Sequence, residues 1–282
     1  MSFVFTILSH LPKPLVPCLT WFLAALIPLF SRKESARFDT NVDAVLGLPA
    51  GSHFALQFAK QTRRHQVACM LETIRAIREP AAVTVTGLDE LKTAIGAAER
   101  VGKGHLITTA HLGSWELVAY YGRQATSKPF HVLAKPSRSA ALTKALDGVR
   151  KQMGVDVLWT DKKSLLRDML GALKRGESVG FVMDQKPEGR QGPVVKFFDR
   201  PTEFVSGPAQ MAIRNGSAVI GVYCLREGPW KYRLTTQTLV EPGHTETDEL
   251  AVTQRLAASI ERTIRIYPEQ WTWSYKRWRF NA

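Results

Sequence analysis

Strand-like and helix-like segments alternate from residue 82 to residue 184, and this alternation limits the folds open to the chain. The strand-like segments are AVTVTG, HLITTA, FHVLA, VDVLW and SVGFVMD, which start at residues 82, 105, 130, 155 and 178. The segments between them have the apolar spacing of amphipathic helices, and the connections are short. Such alternation is typical of parallel strands joined by crossover helices. We therefore predict an α/β sandwich on a largely parallel, mixed sheet.

The flanking sequence extends this single domain. Residues 53–78 read as a long helix with Ser52 as its N-cap, and residues 246–267 as a final helix. Residues 194–198, 217–225 and 231–240 look like further strands, of which the last two could form a hairpin. With no internal repeat and no strong linker, we expect one catalytic domain over residues 34–282, preceded by a hydrophobic segment over residues 1–33.

The N-terminal segment is the most apolar part of the chain. Residues 14–30, PLVPCLTWFLAALIPLF, carry no charge, and SRK follows them. A spanning helix needs about 20 apolar residues, so this segment is short, and prolines interrupt it. A short or tilted anchor, a monotopic insert and a buried helix all remain open. We expect membrane association, with Arg32, Lys33 and Arg37 on the cytoplasmic side.

The charge balance restricts the partners. With 38 Lys and Arg against 25 Asp and Glu, the net charge of +13 favours an anionic membrane surface, an acidic carrier protein or nucleic acid. The basic residues are spread along the chain and match no nucleic-acid-binding signature, so we expect no nucleic-acid partner. A basic membrane-surface or nucleic-acid binding protein without catalysis remains the alternative from another class. Three distant cysteines and no clustered His/Cys pattern give no reason to expect a metal site.

The stretch TTAHLGSWELVAYYG, residues 108–122, holds the first candidate site. His111 follows a strand, and ligands of open α/β sheets bind at the carboxyl ends of strands. Gly113 and Ser114 leave little bulk at the start of the next helix, whose N–H groups favour an anion. Glu116 could reach back to the imidazole and fix its tautomer. This arrangement suits proton removal from an alcohol that attacks an acyl carbonyl, although a packed histidine is the more common case.

Three more stretches hold candidate residues. Arg150 lies at the edge of the apolar stripe of its helix, where it could point over the end of the sheet. Asp184 and Gln185 follow another strand, although Asp184 could simply cap the next turn. The tail YPEQWTWSYKRWRF alternates aromatic with polar or small residues. We expect its tryptophans to pack in the core and Arg277 and Arg279 to contact lipid headgroups.

Taken together, these stretches resemble the lipid A biosynthesis late acyltransferases, the lauroyl and myristoyl transferase family within the lysophospholipid acyltransferase superfamily. The likeness runs from about residue 82 to the C-terminus. Its most specific parts are AHLGSWEL, DQ followed by FFDRP, and PEQWTWSYKRW. Ser114, Lys135 and Tyr275 stand where the family usually has Asn, Arg and His, and these departures leave the acceptor open.

The resemblance implies an O-acyltransferase with His111 as general base, Glu116 as its partner and Arg150 as a further catalytic or substrate-binding cation. It implies substrate contacts from Gly113, Ser114, Lys135, Asp184, Gln185 and Arg277. The donor would be an acyl-carrier-protein thioester, or otherwise a CoA thioester, with no metal or bound organic cofactor. The acceptor would be a lipid A-type glycolipid precursor, or otherwise an aminolipid, a lysophospholipid or a mannosylated phospholipid. The protein would work at the cytoplasmic face of the inner membrane.

Overall fold

A mixed seven-stranded sheet forms the centre of the molecule in a computed structural model that describes residues 3–137, 139–187 and 192–278. The strands are β1 (Thr84–Thr86), β2 (His105–Thr109), β3 (Phe130–Ala134), β4 (Val155–Trp159), β5 (Ser178–Val182), β6 (Val194–Phe197), β7 (Arg200–Glu203), β8 (Val219–Gly228) and β9 (Lys231–Val240). The order across the sheet is β1-β9-β8-β2-β5-β3-β4, and β6 and β7 form a separate hairpin. Only β8 and β9 pair antiparallel within the large sheet, so the predicted α/β architecture is confirmed.

Ten helices surround the sheet in the described part of the chain. They are α1 (Phe3–His10), α2 (Val16–Phe30), α3 (Arg32–Leu46), α4 (His53–Arg78), α5 (Leu88–Arg100), α6 (Trp115–Ala125), α7 (Ala140–Gln152), α8 (Leu165–Lys174), α9 (Gly207–Asn215) and α10 (Glu249–Ile266). The predicted long helix corresponds to α4, and the hydroxyl of Ser52 accepts a hydrogen bond from the N–H of Ala55 at its start. Ser52 is therefore the N-cap that the sequence predicted.

Two apolar cores lie on opposite faces of the sheet. In β2 all five residues are buried, as expected for a central strand covered by helices on both sides. Leu106 packs with α8, α9 and α10, whereas its neighbour Ile107 packs with α5, α6 and α7. The period-two alternation of side chains along a strand thus sends consecutive apolar residues into different cores. This double burial fixes the position of the loop that follows β2.

The apolar helix α2 packs against α4 along one face. Val16 and Ala24 of α2 are buried against Val67 and Leu71 of α4. By length and composition residues Lys13–Phe30 could cross a membrane. Only 17% of this segment is buried in the protein. The exposed large side chains of α2 and of the start of α4 are Trp21, Phe22, Leu29, Phe30, Phe54 and Leu56. One side of α2 is therefore held by protein, and the other presents apolar surface.

A buried ion pair ties α4 to the β8–β9 hairpin. The carboxylate of Glu72 is 2% exposed and accepts two hydrogen bonds from Arg226, at 2.7 and 2.8 Å, and one from the hydroxyl of Tyr232 at 2.7 Å. Burial alone would lower the pKa of Arg226, but the hydrogen bonds and charge of Glu72 raise it overall. The carboxylate of Glu72 therefore supplies the counter-charge that Arg226 needs in the interior.

We expect Glu72→Ala to lower the free energy of unfolding by about 3–5 kcal/mol, because it leaves the Arg226 cation without a counter-charge. Glu227→Ala is the matched control, since Glu227 pairs with Arg233 on the same hairpin but both side chains are at least a third exposed. The control should cost less than about 1 kcal/mol. Urea denaturation followed by circular dichroism measures both, and equal losses would contradict a structural role for the buried pair.

Candidate active site

The register of two neighbouring strands brings His111 and Asp184 together. β2 and β5 pair in parallel with Thr109 opposite Val182, and each candidate follows its strand by two residues. The Nδ1 atom of His111 lies 2.8 Å from an oxygen of Asp184. Equal offsets from a paired position at the carboxyl edge of the sheet therefore produce a histidine–carboxylate dyad.

The carboxylate of Asp184 is fully buried and accepts three hydrogen bonds. Besides the imidazole, the backbone N–H of His111 donates at 3.0 Å and the indole N–H of Trp271 at 2.7 Å. Burial alone would raise the pKa of Asp184, but the charge and hydrogen bonds of His111, together with the bond from Trp271, hold it below its usual value. Asp184 is therefore ionised at neutral pH.

This ionised carboxylate fixes the tautomer of His111. A carboxylate can only accept, so the proton of the neutral imidazole lies on Nδ1 and the lone pair on Nε2. No described residue forms a hydrogen bond with Nε2, and 15% of the His111 side chain remains exposed. A histidine held in this way can act chemically as a general base through Nε2.

The expected contact between Glu116 and His111 does not form, and Asp184 replaces it. Glu116 instead accepts two hydrogen bonds from Arg150, at 2.5 and 3.2 Å, between the first turn of α6 and the last turn of α7. Both side chains are partly exposed. Glu116, expected as the partner of His111, and Arg150, expected as a further cation of the site, therefore form a bidentate pair that fixes the guanidinium of Arg150.

The expected N–H donors after His111 are only partly available. The N–H of Gly113 donates to the carbonyl of Gln270 at 3.0 Å, and that of Ser114 donates to the carbonyl of Cys224 at 2.9 Å. The hydroxyl of Ser114 lies 2.6 Å from that of Thr73. Within the described residues the N–H groups of Trp115 and Glu116 donate no hydrogen bond. The free donors are thus the first two N–H groups of α6, and those of Gly113 and Ser114 are not available.

Gly113 has a structural reason to be glycine. Its φ is +59°, and a Cβ atom would lie 2.2 Å from the carbonyl oxygen of Cys224. A side chain would therefore push the loop away from β8 and displace the neighbouring His111.

The C-terminal segment completes the site. Leu112 and Trp271 form an isolated antiparallel bridge, and both the N–H and the hydroxyl of Thr272 donate to the carbonyl of His111 at 3.0 Å. The predicted burial of the tryptophans is confirmed, because Trp271 and Trp273 are fully buried among phenylalanine rings. The sequence missed the hydrogen bond from Trp271 to Asp184, since nothing in the local pattern connects positions 87 residues apart.

Arg277 lies inside this aromatic cluster and not at the surface. It is 2% exposed, and its guanidinium lies 4.0 Å from the ring centroid of Phe204 and 5.4 Å from that of Phe197. Burial lowers its pKa to about 10, opposed by the charges of Asp184 and Glu203. The burial contradicts the expected headgroup contact of Arg277, and Arg279 lies outside the described residues. A substrate contact of Arg277 remains a prediction.

The remaining candidates lie at the same edge of the sheet. Lys135 follows β3, the neighbour of β5, and is exposed. Gln185 is exposed beside Asp184. Their roles in substrate binding remain predictions. Among the described residues, no group of three or more His, Cys, Asp and Glu side chains could hold a metal ion.

Comparison with known proteins identifies relatives over most of the chain. A family model described as bacterial lipid A biosynthesis acyltransferase matches residues 1–280. A phosphatidylinositol mannoside acyltransferase of Mycolicibacterium smegmatis is 27% identical over 69% of this chain and 62% of its own length. A lipid A biosynthesis palmitoleoyltransferase of Escherichia coli is 26% identical over 69% of this chain and 61% of its own length. The matched regions thus span about three fifths of the relatives.

We expect Gly113→Ala to destabilise the protein more than Gly102→Ala does. Both glycines have positive φ, but a Cβ at Gly102 would meet nothing within 4 Å. Gly102→Ala should cost only the left-handed backbone strain of about 1–2 kcal/mol. Gly113→Ala should add the cost of moving the His111 loop away from β8. Thermal and urea unfolding compare the two, and equal losses would show that the contact with Cys224 does not constrain the loop.

Proposed function

The chain belongs to the bacterial lipid A biosynthesis acyltransferase family, and from this membership and the site we propose that it transfers a fatty acyl chain from a thioester to a hydroxyl of a membrane glycolipid. The single observation that carries the proposal is the hydrogen bond between Asp184 and Nδ1 of His111, which leaves Nε2 available as a base. The proposed acceptor is a lipid A-type precursor. A mannosylated phospholipid is the second candidate, because the mycobacterial relatives are named for that substrate.

In the proposed mechanism His111 removes the proton of the acceptor hydroxyl through Nε2 while that oxygen attacks the thioester carbonyl. A C–O bond forms, and the carbonyl becomes a tetrahedral oxyanion. The N–H groups of Trp115 and Glu116, at the positive end of α6, are the donors available to this charge. When the C–S bond breaks, the imidazolium returns its proton to the thiolate. Asp184 stabilises the imidazolium throughout, as the orienting carboxylate of a catalytic triad does.

Arg150 has a supporting role in this proposal. Its guanidinium forms two hydrogen bonds to Glu116, so its position is fixed in advance of substrate binding. A pre-oriented cation suits a phosphate or carbonyl oxygen of a substrate, because little conformational freedom is lost on binding. Glu116 would then act on Arg150 and not on His111.

We propose acyl carrier protein as the donor's carrier. The chain has a net charge of +13, and an acidic carrier would be attracted to such a surface over long range. Free CoA thioesters present the same reacting group without an acidic protein surface. A comparison of the two donors at low and high salt separates these possibilities, because only carrier docking should lose a large rate advantage as salt rises.

We expect His111→Ala and Asp184→Asn each to lower turnover by about 10²–10⁴-fold, because they remove the base or its orienting partner. Glu116→Gln should lose much less, since it leaves the dyad intact. Asp89→Asn, at a carboxylate 96% exposed, is the control and should retain full activity. The assay supplies acyl-carrier-protein and CoA thioesters with lipid extract from an acyltransferase-deficient host and detects products by mass spectrometry.

The outcomes of this assay distinguish the alternatives. A His111-dependent product heavier by one acyl group establishes the reaction and names the acceptor. A loss in Glu116→Gln equal to that in His111→Ala, with Asp184→Asn active, would contradict the His111–Asp184 dyad. No product with any donor or acceptor would leave the non-catalytic binding protein as the better hypothesis.

We also propose that α2 lies in the membrane interface on the cytoplasmic face of the inner membrane and does not span the bilayer. Its buried side is packed on α4, whereas Trp21, Phe22, Leu29 and Phe30 are 55–83% exposed. A spanning helix would have to give up the contacts with α4. The exposed basic residues that follow, in chain order, are Arg32, Lys33, Arg37 and Lys60. Apolar insertion beside cationic residues suits an anionic lipid surface.

This orientation would place the site near the lipid. α3 begins two residues after Phe30, and its Asn41 donates hydrogen bonds to the carbonyls of Trp273 at 2.7 Å and Tyr275 at 3.0 Å. The inserted helix and the segment that supports His111 are therefore connected by one short chain of contacts. A lipid acceptor could reach the base without leaving the interface.

We expect the double variant Phe22→Glu/Phe30→Glu to lose binding to vesicles containing anionic lipid by at least about tenfold, because two apolar side chains leave the interface. Leu250→Glu/Ile266→Glu is the control, since both residues lie on α10 and are 52% and 62% exposed. Vesicle flotation measures the bound fraction. Equal losses in both variants would contradict a membrane face on α2.

A further inference from the structure

Two aromatic rings flank the imidazole of His111. The ring of Tyr275 lies 4.5 Å from it between centroids at an interplanar angle of 68°, and the ring of Trp115 lies 5.1 Å away at 67°. Both contacts have the T-shaped geometry in which the positive edge of one ring meets the negative face of another. The hydrogen bond to Asp184 fixes the Nδ1 atom, and these two rings restrict the rest of the imidazole.

The position of Tyr275 is fixed by several contacts. Its carbonyl accepts hydrogen bonds from the side-chain amide of Asn41 and from the N–H of Arg277. Burial, followed by the charge of Asp184, raises the pKa of Tyr275 to about 12, so the phenol is neutral at pH 7. A neutral ring held beside the imidazole is neither a base nor a counter-ion for it.

We propose that Tyr275 and Trp115 form an aromatic clamp that orients His111 and stabilises it in its protonated form. In the proposed clamp the edge of the imidazole faces both rings, as the two T-shaped contacts allow. When His111 takes a proton from the acceptor, its edge becomes more positive, and its attraction to an aromatic face within about 6 Å increases. Tyr275 and Trp115 are therefore positioning residues that favour the imidazolium formed during transfer. The proposal rests on the proposed function for its role in turnover, but the contacts exist without substrate.

Other charges near this pair also influence the proton on His111. Asp184 binds the imidazole directly, and Glu116 lies in the first turn of the helix that begins with Trp115. Arg277 and Tyr223 respond to the charge of Asp184, and Glu34 raises the pKa of Tyr275. The variants below leave all of these groups in place except Tyr275 itself, so a changed titration reports the rings.

The experiment is a pH titration of the imidazole signals of His111 by NMR in full-length, histidine-labelled protein in detergent, assigned by the signals lost in His111→Gln. Tyr275→Leu and Trp115→Leu should each move the titration midpoint of His111 to lower pH by about half a unit or more, because the protonated form loses a ring. Tyr275→Phe keeps the ring and should leave the midpoint within about 0.2 unit. Tyr120→Leu is the control: it removes a different partly buried tyrosine, on α6, and should not change the midpoint of His111.

Kinetics of the proposed transfer give a second readout. The acidic limb of the pH–rate profile should move with the NMR midpoint in Tyr275→Leu, with turnover lower by about three- to tenfold and KM within about twofold. An unchanged or higher midpoint in both leucine variants would overturn the clamp, whatever their activity. If the leucine variants lower the midpoint of His111 but the wild-type protein transfers no acyl group, the clamp is supported and the proposed function is refuted. Trp115→Leu tests the clamp independently if Tyr275→Leu does not fold.

Discussion

Three hydrogen bonds meet at the buried carboxylate of Asp184, and the geometry of the site depends on them. They come from the backbone and ring of His111 and from the indole of Trp271. A buried carboxylate is tolerated only when its oxygens are satisfied, so loss of any donor would raise the cost of keeping the charge. The same three bonds join the loop after β2, the loop after β5 and the C-terminal segment. Stability of the charge and position of the His111 imidazole therefore have one physical origin.

The C-terminal segment is as much a part of the site as the strands. It hydrogen-bonds the backbone of His111 through Thr272 and the carboxylate of Asp184 through Trp271, and its Tyr275 ring packs in a T-shaped contact with the imidazole. Asn41 connects the same segment to α3, the helix that follows the apolar α2. The exposed apolar side of α2 and the loop that holds His111 are thus joined by a short chain of contacts.

Buried charge is handled in two different ways in this molecule. Glu72 and Asp184 each accept three hydrogen bonds from buried or partly buried donors, and their charges are satisfied. Arg277 is buried with no hydrogen bond to its three guanidinium nitrogens within the described residues, and it lies instead over two phenylalanine faces. Cation–π contact offsets only part of the desolvation of a cation. Arg277 is therefore a costly charge to hold in the described interior.

The sequence by itself determined the elements of the α/β domain, the Ser52 cap and the strand-end placement of His111 and Asp184, because hydrophobic period and capping chemistry are local properties. It did not predict α3 or β7, whose residues are largely polar. Nor did it assign Asp184 to His111 or Glu116 to Arg150, because the short spacing of His111 and Glu116 gave a plausible local pair. Only the tertiary structure decided these partners, since the parallel register of β2 and β5 brings together residues 73 positions apart and the C-terminal tail then closes over them. Sequence spacing reports contacts within an element, whereas contacts between elements depend on sheet order and register.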